Sequence, residues 1–221
     1  MKIDCAPWSR ESTVFQQSAA ASAVLASCFI LPSLLFVSFG NRISGASIMF
    51  ISSLSGLTAL LFLPPEKCGL RRLCWRDILI TVLITAAAIL FSGFATSHWQ
   101  NFLAANGISF APKQAVLVQM KTAATRHLLM LIAGTCLITP LIEEILFRRV
   151  IYGALLKMGM IPAFLLTSLL FGAAHFFLAG IPGLTILGMG FHLSFLLTGN
   201  LSAAVLSHLL VNTLATLSAL H

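Results

Sequence analysis

Glu143 and Glu144 are neighbouring carboxylates inside an apolar stretch of a 221-residue chain, and Arg148 follows Glu144 at i,i+4. An ionised side chain at the bilayer centre costs roughly 2.5–3.5 kcal/mol on insertion scales, so acids at membrane depth mark a functional site by default. An acid N-terminal to a base at this spacing suits an intrahelical ion pair. That pairing leaves Glu143, about 100° around the helix, less neutralised and suited to general-base work beside imidazole and water. Beyond Lys157 the chain has no Lys, Arg, Asp or Glu; its charge-capable side chains there are His175, His192, His208 and His221. His175 follows Gly172-Ala173-Ala174, small residues that let a neighbouring helix come close. His208 and Asn212 share one helical face. Three helices therefore offer polar groups which, converged on one cavity, would satisfy one another and hold water.

Each of these residues also has a structural reading. Glu143 and Glu144 would form ion pairs with Arg148 and Arg149 at a membrane boundary. His175 would be a core histidine bonded to a backbone carbonyl. His208 and Asn212 would be interhelical glue. His192, His98, His127 and His221 are read as non-functional. Pro140 removes one backbone donor a turn before the glutamates and is expected to kink their helix.

The elements that must position these groups follow from composition. Hydrophobic residues make up 58% of the chain, charged residues 9%, and the mean hydropathy is +0.99. A soluble domain carries about 25% charged residues. The composition predicts an all-α, polytopic membrane bundle forming a single domain over 1–221. Apolar runs long enough to cross a bilayer, about 20 residues, give seven spans: 18–39, 43–63, 78–97, 128–148, 160–178, a short 184–198, and 200–219. Residues 98–126 read as a long loop with an interfacial helix.

The net charge of +7 is distributed between apolar runs, which excludes a nucleic-acid surface. Lys2, Arg10, Lys67, Arg71, Arg72, Arg76, Arg149 and Lys157 fall on one side if the N-terminus is cytosolic, which matches the positive-inside rule. This topology puts the glutamates a turn or two beneath the cytosolic face. The five cysteines, Cys5, Cys28, Cys68, Cys74 and Cys136, show no metal-ligand pairing.

The spacing Glu143-Glu144-x-x-x-Arg148, Phe171-x-x-x-His175 and His208-x-x-x-Asn212 resembles the CPBP (Abi) family of intramembrane proteases, which includes CAAX proteases and bacteriocin-processing enzymes. Its signatures are EExxxR, FxxxH and HxxxN, in this order on successive late spans. The resemblance covers about residues 127–215, the expected catalytic core. It implies peptide-bond hydrolysis inside the membrane. Glu143 and His175 would activate water, His208 and Asn212 would stabilise the oxyanion, and Glu144 and Arg148 would order the site, with Phe171 in support. The implied substrate is a membrane protein or lipidated peptide, in a bacterial plasma membrane. Two histidines and a glutamate could bind zinc through Glu143, His175 and His208. The spacing is not HExxH on one helix, so hydrolysis without a metal or other cofactor ranks first. Two alternatives stand beside the protease: a non-enzymatic immunity or scaffold protein on the same fold, and a proton-coupled transporter.

Overall fold

A computed structural model describes residues 69–221, together with Ile51 and Leu54. The described residues form helices and loops, with no strand among them. Helix α1 spans Trp75–Ala105 and α2 Ala115–Thr122. Helix α3 runs over Thr125–Met158, α4 over Met160–Ala173, α5 over Ile181–Thr198 and α6 over Leu201–Leu220. Among the described residues four helices are long and apolar enough to cross a membrane: α1, α3, α5 with its lead-in from Leu178, and α6. The chain is an integral membrane protein. The expected spans 18–39 and 43–63 lie outside the described residues.

Several boundaries differ from the sequence reading. The span expected at 160–178 ends at Ala173, so α4 has 14 residues and reaches only about 21 Å. His175 sits in the turn beyond it. The segment 98–126, expected as a long loop with an interfacial helix, is helical to Ala105 and then carries one short helix, α2. Helix α3 continues to Met158, so Arg148 is buried within the bundle rather than sitting at a boundary.

These rods are apolar on most faces, so small residues and local caps set their packing. A Cβ at Gly190 would lie 2.6 Å from the Ala88 Cβ on α1, and one at Gly188 would lie 3.0 Å from the Phe171 ring on α4. Glycine thus lets α5 sit closely against both neighbours. Gly172 likewise admits α5 at Ile181 and Thr185. Thr85 on α1 and Ser207 on α6 share a buried hydrogen bond of 2.6 Å. Asp77 opens α1 by accepting from the Cys74 N–H at 3.3 Å, and Asn200 caps α6 by accepting from the Ser202 N–H at 3.0 Å.

At the same end, the stretch before α1 is tied to the α5–α6 turn. The Arg71 N–H donates to Asn200 Oδ1 at 3.3 Å and to Ser202 Oγ at 3.1 Å. Its guanidinium donates to the Gly199 carbonyl. Asn200 Nδ2 returns bonds to the carbonyls of Arg71 and Arg72 at 3.3 and 3.4 Å.

Helix α3 is not uniform. It is α-helical over Thr125–Ile132, π-helical over Ala133–Ile138, α-helical over Thr139–Glu144 and π-helical over Ile145–Ile151. Both glutamates therefore close a short α segment held between two wide turns. Such π turns are rare and recur at functional sites. The main core packs around this segment, from Ile142, Leu146 and Phe147 on α3 to Phe171 on α4, Phe191 on α5 and Ala204 on α6.

Candidate active site

The two glutamates face different surroundings. Glu144 is fully buried. Its Oε2 accepts from Arg148 Nε at 2.7 Å, and its Oε1 accepts from Arg148 Nη2 at 3.4 Å and from His208 Nδ1 at 3.0 Å. The sequence-expected Glu144–Arg148 pair is present and is closed off from solvent on both sides. Such a pair holds its geometry because breaking it would strand a charge in a medium that cannot solvate it.

Glu143 has a side chain 21% exposed and lines a cavity of about 570 Å³. Its Oε2 has no hydrogen-bond partner and lies 3.9 Å from His208 Nε2. His175, His208, Asn212 and Phe171 line the same cavity. The structure therefore brings together the polar groups of all three motifs except Glu144 and Arg148, which stand behind His208. Glu144 was expected among the catalytic residues; it does not line the cavity and is joined to it by its bond to His208.

His208 is fixed from several directions. Glu144 takes the Nδ1–H, which turns Nε2 towards Glu143 and the cavity. Phe191 stacks on the ring with centroids 4.5 Å apart and planes at 17°. Phe171 meets it edge-on at 5.5 Å. In its neutral form this imidazole presents a lone pair at Nε2; protonated, it presents a donor.

Asn212 donates from Nδ2 to the Thr135 carbonyl at 2.8 Å. The reason lies in Pro140. The wide turn pairs the Thr139 N–H with the Gly134 carbonyl, five residues back. The next bond in that register would run from residue 140 to the Thr135 carbonyl, and proline has no N–H to make it. Asn212 supplies the missing donor from α6. One amide hydrogen and the Oδ1 remain for the cavity.

His175 bonds through Nδ1 with the Phe171 carbonyl at 2.8 Å. The backbone partner of the structural reading is present, yet the ring is half-buried on the cavity wall. The backbone bond and a place on the cavity wall thus occur together, with Nδ1 used locally and Nε2 left over.

His192 stands apart. It is fully buried, does not line the cavity, and neither ring nitrogen has a hydrogen-bond partner. Its ring packs against Tyr152 at 4.3 Å and Phe164 at 5.0 Å. It is a core residue without the hydrogen bond expected of one.

Three contributors were not foreseen: the stacking face of Phe191, the Thr135 carbonyl, and the place of α2 on the cavity wall, where Lys113 before it and Lys121 within it line the cavity. The orphaned carbonyl was signalled by Pro140; the other two have no local signature. Among the described residues no three His, Cys, Asp or Glu side chains are grouped to hold a metal ion. Glu143, His175 and His208 do not form a ligand set in this arrangement.

Comparison with known proteins covers the same stretch. Residues 125–214 match the family described as type II CAAX prenyl endopeptidase Rce1-like. Over 85 residues the chain is 32% identical to YdiL of Bacillus subtilis (strain 168), described as a candidate membrane peptidase. The aligned stretch is 38% of this chain and 35% of YdiL, so the chain spans about a third of that relative's length. No solved structure matches. Residues 125–214, which hold Glu143, Arg148, His175, His208 and Asn212 on their supporting helices, are thus the part of the chain that is similar to the Rce1-like CAAX prenyl endopeptidase (CPBP) family.

Proposed function

We propose that this protein is an intramembrane endopeptidase of the glutamate type. It hydrolyses a peptide bond in a membrane protein or lipidated peptide, in a bacterial plasma membrane with the N-terminus cytosolic. The observation that carries this reading is the meeting of Glu143, His175, His208 and Asn212 on one cavity, with Glu143 Oε2 unpartnered there. In this mechanism Glu143, assisted by His175, takes a proton from a water in the cavity as it attacks the scissile carbonyl. Protonated His208 and the second amide hydrogen of Asn212 donate to the developing oxyanion. The proton held by Glu143 then passes to the leaving amine. Glu144 and Arg148 keep His208 in the required orientation and do not touch substrate.

The test is cleavage of a processed membrane substrate by purified protein. Glu143→Ala and His208→Ala are expected to abolish cleavage while the protein still inserts, since a positioned general base contributes about 10²–10⁴-fold alone. Normal cleavage by both variants would end the enzyme reading. Metal-free chemistry predicts full activity after thorough zinc removal; loss restored by zinc would replace it with a metalloprotease.

A further inference from the structure

The cavity opens toward one end of the bundle only. From Glu143 its walls follow Thr139 and Thr135 towards the start of α3, and Ala215 and Ala219 towards the end of α6. Its rim carries exposed Lys113 and Lys121 beside α2, in the connection from α1 to α3. The opposite direction is filled. Ile145, Leu146, Phe147, Phe195 and Leu201 are exposed by 0–4% and pack between Glu143 and the α5–α6 turn.

The filled end is the arginine-rich one. Arg71, Arg72 and Arg76 precede or open α1 there, and Lys157 closes α3. The rim end has Lys113, Lys121 and Arg126, and no described Asp or Glu. The N-in reading adds Lys2, Arg10 and Lys67 to this end and Arg42 to the other, so the cytosolic side is the one that the cavity does not reach.

Building on the protease reading, we propose that the cavity admits its substrate from the extracytoplasmic face, in place of the cytosolic-side site expected from sequence. The occupant is an apolar polypeptide segment with acidic residues on its external flank. Val116, Leu117, Leu184, Leu187 and Val211 give it an apolar wall. The two rim lysines complement a negative flank.

Thiol labelling tests the face without needing cleavage. Cys74 is exposed at the arginine-rich end and serves as the cytosolic marker once the other native cysteines are replaced. In intact cells a membrane-impermeant maleimide is expected to modify Lys113→Cys, Lys121→Cys and Ala215→Cys, and to modify Cys74 only after permeabilisation. Labelling of the three introduced cysteines only after permeabilisation overturns the proposal, as does Ala215→Cys that reacts from neither side. Neither result bears on Glu143→Ala, so the protease reading can fail or stand separately. A synthetic apolar peptide with an acidic flank is expected to slow labelling of Ala215→Cys several-fold, and the same peptide with a lysine flank is not. Equal or absent protection by both overturns the assigned charge.

Discussion

Two histidines are buried in this bundle, and only one is partnered. His208 gives Nδ1 to Glu144 and turns Nε2 towards Glu143. His192, on the neighbouring helix, touches aromatic rings and no hydrogen-bonding group. Both are almost wholly excluded from solvent. Burial therefore does not distinguish a cavity-lining histidine from a packing one in this chain. What distinguishes them is whether a charged network sets the ring's tautomer and aims its free nitrogen into a cavity.

The strongest way to break this contrast is to remove the partner. Glu144→Ala strands Arg148 and frees His208, and is expected to cost about 3–5 kcal/mol, measured by thermal or denaturant unfolding in detergent. Unchanged stability would mean that the buried pair contributes nothing. Asn212→Ala comes next. Losing one oxyanion donor is expected to lower kcat by about 10²–10³, with KM little affected; a change in KM alone would make Asn212 a binding residue.

His192→Phe sharpens the other side. Replacing an unpartnered buried imidazole by a ring of similar shape removes a desolvation cost of about 1–3 kcal/mol. The variant should be as stable as the parent or more so, with cleavage retained. A destabilised variant would show that His192 is hydrogen-bonded after all. The smallest effect is expected from Pro140→Ala. It restores an N–H that competes with Asn212 for the Thr135 carbonyl, a bond worth about 0.5–1.5 kcal/mol. Activity should fall a few-fold and unfolding should be little altered; loss as deep as that of Asn212→Ala would mean that the proline shapes more than one bond.

The chemistry of this site was more legible than its geometry. Glu143, Glu144, Arg148, His175, His208 and Asn212 announce themselves because ionisable and amide groups are so sparse in the apolar half of the chain. The i,i+4 pairing of Glu144 with Arg148 could be read directly. What could not be read was register. Nothing in Ala133–Ile138 or Ile145–Ile151 advertises a π turn, because that widening is imposed by packing and not by local preference. Each wide turn alters which faces of α3 share a direction. The carbonyl that Asn212 serves is consequently Thr135 and not Cys136, the position that α-helical counting would give. The length of α4 was misread for a related reason. Its apolar run continues past Ala173, but the chain turns at Ala174 and His175, and hydropathy has no term for that turn. A helix was expected within 98–126, but its place on the cavity wall was not, because mixed composition does not say what the helix packs against.

The tie between Arg71 and Asn200 joins positions 129 residues apart. Its first half leaves the ribosome long before its second. During synthesis the early helices must therefore wait, laterally unlatched, until the final hairpin has been threaded into the bilayer. The fastener closes last, on the side where the dry core rather than the water-holding chamber meets solvent. A nascent chain arrested before α6 would thus carry Glu143 without the imidazole and carboxamide that share its cavity.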